Sequence, residues 1–223
     1  MEPWPVMAGG AVAAAAGLAW LGWRAHEADW GRRTLTVVDG LVRLFCRRWH
    51  RLVADPVPLP ESGPALLVAN HVSGLDPVLM VAAVRRPLRF LIAREQYERR
   101  GLRWLFRAMG CIPVDRESRP QQAFREALAA LARGEVVALF PGGRIQPPGR
   151  PPPPLKRGVA RLAALSGAPV LAVHIGGVRG QGRVLGAVFL RARARLVFRG
   201  ETRCRPGDEA RCLARLEAWL TRG

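Results

Sequence analysis

Residues 65–77 read ALLVANHVSGLDP. The apolar run Ala65 to Val68, bounded by Pro64 and a turn containing Gly74, has the character of a buried strand. Asp76 followed by Pro77 is a helix start, with Asp at the N-cap and Pro in the first turn. His71 then sits where the strand ends, and Asp76 opens the next helix, with four residues between them. A carboxylate that holds one imidazole nitrogen leaves the other free to take a proton, which is general-base chemistry. The structural alternative is a polar histidine in a turn beside an ordinary helix cap. The elements around the pair have to decide between the two.

The chain has 223 residues, 49% of them apolar, enough for one sizeable core and a tail. Its formal net charge is +18, and Lys156 is the only lysine. That charge attracts anionic lipid, nucleic acid or an acidic carrier. The arginines are scattered through every segment and are not clustered with stacking aromatics, which speaks against nucleic acid. Cys46, Cys111, Cys204 and Cys212 form no Cys-x-x-Cys pair and have no histidine at ligand spacing. Neither a metal site nor a disulfide framework is expected, and a reducing compartment fits.

Pro3 to Trp23 carries no charge over 21 residues, with Trp4, Trp20 and Trp23 near its ends. About 20 helical residues cross a bilayer core, and tryptophans favour its interfaces. The segment is expected to be a retained membrane helix. A cleaved secretory signal would want a basic start, and the early charge is Glu2. Arg24, Arg32 and Arg33 follow the run, which orients the bulk of the protein to the cytoplasmic side. Residues 1–33 are therefore set apart as membrane helix and basic flank, and 34–223 as the catalytic domain. Residues 35–53 read as a basic amphipathic helix, suited to a membrane surface or to core packing with solvated arginines.

From residue 64 onward strands and helices alternate. Strands are expected at 88–93, 111–114, 135–140 and 169–175, and further β segments at 184–190 and 194–198. Helices are expected at 94–109, from Ser118 and Pro120 to Gly134, at 156–165, and after Asp208. This alternation predicts an α/β fold with a single mixed, largely parallel sheet flanked by helices. The Pro-rich run 147–154 reads as a stiff surface loop. Four stretches are assigned to strand ends, where open α/β sheets place ligands: 70–76, 110–116, 140–144 and 168–171.

In order and spacing these stretches resemble the glycerolipid acyltransferases typified by 1-acylglycerol-3-phosphate (lysophosphatidate) acyltransferase. The likeness covers about residues 60–180 and rests on His71-x4-Asp76, Gly110-Cys111-Ile112-Pro113-Val114-Asp115-Arg116, Phe140-Pro141-Gly142-Gly143 and the Lys156-x-Gly158 helix start. By that resemblance His71 is the general base, Asp76 orients it, and Arg116 grips the acceptor's phosphate. Residues 140–144, with Gly142, Gly143 and Arg144, form the acceptor-binding loop. The resemblance implies transfer of an acyl group from coenzyme A or acyl carrier protein to a lysophospholipid hydroxyl. It implies a lipid partner, no nucleic acid, no metal and no cofactor beyond the acyl donor. The family's third stretch normally carries Glu where this chain has Gly142. Gly143-Arg144-Ile145 is closer to the branch that reacylates lysophosphatidylethanolamine. That leaves two alternatives: this reacylation, or a catalytically impaired lipid binder on the same fold. A serine hydrolase using Ser73 is the remaining enzymatic alternative, but position 71 is His and position 75 is Leu where a nucleophile elbow wants glycines.

Overall fold

A computed structural model of the protein describes residues 4–116 and 120–221. The expected helix start at Ser118 lies outside these residues. Among the described residues, seven strands form one sheet in the order β1-β7-β6-β2-β5-β3-β4. The strands are β1 (Val53–Ala54), β2 (Ala65–Ala69), β3 (Leu88–Ala93), β4 (Ile112–Val114), β5 (Val136–Leu139), β6 (Val170–Gly176) and β7 (Arg195–Thr202). Every neighbouring pair is parallel except β6 and β7. The sheet is thus mixed and largely parallel, as the alternation predicts.

Strand pleating sorts the apolar residues to two cores. Ala65, Leu67 and Ala69 of β2 face one core with Val136, Ala138, Leu171 and Val173, while Leu66 and Val68 face the other with Val137, Leu139, Val170 and Ala172. The first core is covered by α2 (Arg33–Arg48) and α3 (Asp76–Ala83), the second by α6 (Pro120–Ala132), α7 (Gly158–Ser166) and α9 (Glu209–Thr221). Strands buried on both faces read as continuous apolar runs, which is why ALLVA and VVAL were legible as strands.

Several local expectations are corrected. Residues 94–109 are two short helices, α4 (Arg94–Tyr97) and α5 (Arg103–Ala108), because the chain turns at Gly101 with φ +83°. Residues 184–190 are not a strand; they form a turn and α8 (Gly186–Phe189). Ala168-Pro169 stands at the start of β6, so that stretch lies at the opposite edge of the sheet from the other three. Cys204 and Cys212 are disulfide-bonded, joining the end of β7 to α9. The bond was not readable from spacing, since the two residues meet only when α9 folds back on the sheet.

The uncharged N-terminal run is helical, as α1 (Trp4–Ala25). Among the described residues no helix is long and apolar enough to cross a membrane, so the expectation of a spanning helix lacks support. α1 crosses α2 closely: a Cβ on Gly40 would lie 1.8 Å from the Gly22 carbonyl oxygen. Arg43 of α2, expected on a solvated face, is fully buried. Its Nε donates to Asp39 Oδ2 at 2.6 Å and its Nη2 to Asp39 Oδ1 at 3.1 Å. The same guanidinium donates to the carbonyls of Ala82 and Val84, where α3 ends. Asp39 also accepts from Trp30 Nε1 and the Glu27 N–H, which turns the corner between α1 and α2.

Removing one partner of a buried ion pair strands the other's charge, at a cost of about 3–5 kcal/mol. Asp39→Ala is therefore expected to lower unfolding stability by about that amount, read as a shift in urea midpoint at unchanged slope. The thiols of Cys46 and Cys111 are free and buried, and burial pushes both up to about 12. Neither is expected to react with a thiol-directed reagent at mildly alkaline pH until the protein unfolds, which a timed labelling experiment in and out of urea checks.

Candidate active site

β2 is the middle strand of the seven-stranded sheet, with β5 on one side and β6 on the other, both parallel to it. Its register sets Val68 against Leu139 and Ala69 against Val173. Residue 71 therefore emerges beside Phe140 at the carboxyl edge. Asn70 staples that exit to β6: its Nδ2 donates to the Ile175 carbonyl at 2.9 Å, and its Oδ1 accepts the Ile175 N–H at 2.7 Å.

The turn that follows closes on Asp76, which is fully buried. Asp76 Oδ2 lies 2.8 Å from His71 Nδ1 and accepts the N–H groups of Val72 (2.6 Å) and Ser73 (2.9 Å). Its Oδ1 accepts the Ser73 hydroxyl at 2.9 Å. A buried carboxylate persists only when its lone pairs are filled this way. Asp76 does not cap its own helix, as expected from the Asp-Pro pair; it is the first residue of α3, and its side chain reaches back into the turn. Ser73 is also fully buried and is held by Asp76 and the Leu75 N–H, an arrangement that makes it a support, not an exposed nucleophile.

With Nδ1 assigned as the donor to the Asp76 carboxylate, Nε2 is the ring nitrogen that can accept a proton. The Phe140 ring stacks on the imidazole, centroids 4.0 Å apart and 12° from parallel. This fixes the ring plane, and it was not foreseeable without knowing that β2 and β5 are neighbours. Gly74 is required by close approach: a Cβ there would lie 1.9 Å from the Val184 carbonyl oxygen.

His71 lines a cavity of about 850 Å³. One part of its wall is apolar, with Val42, Val78, Phe90, Ile92 and Phe106, and another carries Arg116, Gly143, Arg144 and Lys156. Arg116 follows β4 and reaches the 140–144 loop, where its Nη2 donates to the Gly143 carbonyl. Its Nη1 is 4.0 Å from a Glu95 oxygen. Gly143 has φ +73°, and a Cβ there would meet Lys156 Cε at 2.7 Å, so only glycine lets the lysine lie across the loop. Lys156, read from the sequence as a helix start, thus joins the arginines at the cavity wall. Gly142 is in the same loop but does not line the cavity; a Cβ at this position would lie 2.8 Å from Pro153 Cγ. Among the sequence-chosen residues, the structure brings together His71, Asp76, Arg116, Gly143 and Arg144, and leaves Gly142 under the Pro-rich loop.

Comparison with known proteins adds the family. A family model described as Acyltransferase matches residues 50–176. The chain belongs to the acyltransferase family. Among curated relatives, it is similar to a probable 1-acyl-sn-glycerol-3-phosphate acyltransferase from Mycoplasma pneumoniae, 27% identical over 45% of this chain and 40% of the relative. It is also similar to the 1-acyl-sn-glycerol-3-phosphate acyltransferase of Bacillus subtilis, 23% identical over 51% of this chain and 56% of that protein. The matches thus span about half the length of these relatives. The fold is that of the 1-acyl-sn-glycerophosphate (LPA) acyltransferase PlsC from Thermotoga maritima, with a TM-score of 0.67 at 23% identity over 86% of this chain and 81% of that one.

Gly74→Ala tests the turn. Its methyl would drive the 177–194 segment from the 71–76 turn, and overpacking of this kind costs about 1–3 kcal/mol. Thermal unfolding is expected to show that loss, whereas Gly158→Ala, in open space at the start of α7, should be nearly neutral.

Proposed function

We propose that the chain transfers a fatty acyl group from an acyl-thioester, either acyl-coenzyme A or acyl carrier protein, to the hydroxyl of a lysophospholipid such as 1-acylglycerol-3-phosphate. The observation that carries this reading is the 2.8 Å pairing of His71 Nδ1 with the buried Asp76, in a cavity that also holds Arg116, Arg144 and Lys156. His71 Nε2 takes the hydroxyl proton as the acceptor oxygen attacks the thioester carbonyl. The carbon–sulfur bond then breaks, and the departing thiolate takes the proton back from the imidazolium. Asp76 holds the ring and offsets its transient charge. A thioester is reactive enough that no covalent enzyme intermediate is needed. The guanidinium forks suit a phosphate, and the apolar wall suits an acyl chain.

Membrane association is part of this reading. Leu18, Trp20, Leu21 and Trp23 of α1 are exposed, a face suited to lipid. The basic flank at Arg24, Arg32 and Arg33 suits an anionic lipid surface such as the cytoplasmic leaflet presents. Lysophosphatidylethanolamine is kept as a second acceptor for one reason. Position 142 is Gly where the resembling family carries Glu, a Cβ there would already meet Pro153 Cγ at 2.8 Å, and the following Arg144-Ile145 is closer to the branch with that acceptor.

The test is acyl transfer from a radiolabelled thioester to a panel of lysolipids in liposomes. His71→Ala is expected to lower turnover by about 10²–10⁴-fold while circular dichroism shows the protein still folded. Activity retained in that variant overturns the mechanism. Arg116→Ala and Arg144→Ala are expected to raise KM for phosphate-bearing acceptors more than they lower kcat.

A further inference from the structure

The connection between β6 and β7, residues 177–194, has no role in the proton transfer described above. It is long for a link between neighbouring antiparallel strands, where two to five residues suffice, and it crosses the carboxyl edge of the sheet. Backbone bonds tie it to the catalytic turn: the Gly182 N–H donates to the Val72 carbonyl, and the Gly74 N–H to the Arg183 carbonyl, both at 2.9 Å. Its other end is held by the corner after α2. Trp49 Nε1 donates to the Phe189 carbonyl at 3.2 Å, and His50 Nε2 lies 3.0 Å from the Val188 carbonyl oxygen.

Held in this way, the segment turns apolar side chains outward. Val184, Leu185, Phe189 and Leu190 are exposed, Phe189 at 75%, and Trp49 beside it at 43%. An apolar patch rimmed by charge marks an interaction surface. The charge is adjacent: a cleft of about 410 Å³ is lined by Arg51, Arg179, Arg191 and Arg193, with no acidic residue in its wall. Among the described residues none of these four forms an ion pair. The Arg191 guanidinium lies 5.8 Å above the Trp49 ring. Arg51 is held at φ +45°, the one non-glycine in the left-handed region among the described residues, and such strain collects at functional sites.

Unpaired guanidiniums want phosphates; exposed rings and leucines beside them want hydrocarbon. A membrane of anionic phospholipid presents both, phosphates next to hydrocarbon. We propose that the 177–194 segment, with Trp49, seats the protein on anionic phospholipid. Phe189, Leu190 and Trp49 enter the acyl layer, and the four arginines lie among the lipid phosphates. Leu185 and Phe189 also line the cavity that holds His71, so the seated protein opens its cavity directly to the bilayer. That last consequence rests on the proposed acyl transfer; the seating itself does not.

The experiment uses the full chain with Phe189→Cys carrying an environment-sensitive fluorophore. The remaining cysteines are buried or disulfide-bonded, so the label is confined to position 189. Vesicles of phosphatidylcholine with about 30 mol% phosphatidylglycerol are compared with phosphatidylcholine alone. The label is expected to shift to the blue with the anionic vesicles. Changing Arg179, Arg191 and Arg193 to Gln together should raise the lipid concentration at half-shift at least about tenfold, as should high salt. Adding His71→Ala should leave the shift in place, so loss of seating and loss of catalysis are read separately. A label that stays in water while the protein sediments with the same vesicles overturns the proposal. So does an undiminished shift in the arginine variant. A shift produced by an acidic carrier protein and not by vesicles also overturns it and assigns the surface to protein docking.

Discussion

The structure depends on one buried carboxylate. Asp76 has no access to water and is tolerable only because four donors from three consecutive residues converge on it. Those bonds fold residues 71–76 into a tight turn, start α3 in a fixed direction, and choose which imidazole nitrogen faces the cavity. A single group therefore satisfies the backbone and orients the imidazole. This economy makes the turn intolerant: Ala at position 76 would leave the Val72 and Ser73 N–H groups without their acceptor.

α3 is clamped at both ends by charge. At its start stands Asp76; at its finish the Arg43 guanidinium, itself held by Asp39, takes the carbonyls of Ala82 and Val84. Helix ends leave such carbonyls without partners, and here a neighbouring helix supplies the donor. The N-terminal helical hairpin is thereby tied to the element that carries the site. The geometry around His71 and the placement of α1 and α2 are parts of one polar framework within an otherwise apolar core.

Much of this was legible in the chain. Strands buried on both faces announce themselves as apolar runs, and three of the four assigned stretches do lie at strand ends. Ala168–Leu171 misled because a strand's start and its end carry the same apolar letters; only the direction of the chain through the sheet separates them. Residues 184–190 misled because VLGAVFL is a short continuous apolar run, which suits a buried strand and equally a short helix or loop packed on the protein. The segment has no neighbour to pair with, since it packs over the catalytic turn where Gly74 makes room for Val184. Arg43 looked solvated because an arginine on a helix usually is; its burial depends on Asp39 four residues earlier and on α3 carbonyls far away in sequence. The stacking of Phe140 on His71 required strand order, which no local signal contains.

One consequence concerns reagents more than evolution. The chain's only ε-amine belongs to Lys156, which lies across Gly143 at the wall of the cavity. Every other basic side chain apart from the histidines is a guanidinium, inert to acylating and pyridoxal-type probes. Amine-selective chemistry aimed at side chains therefore has one address in this protein. A bulky adduct there would fill part of the cavity beside Gly143, whereas a small reporter on the same amine would sense its occupancy.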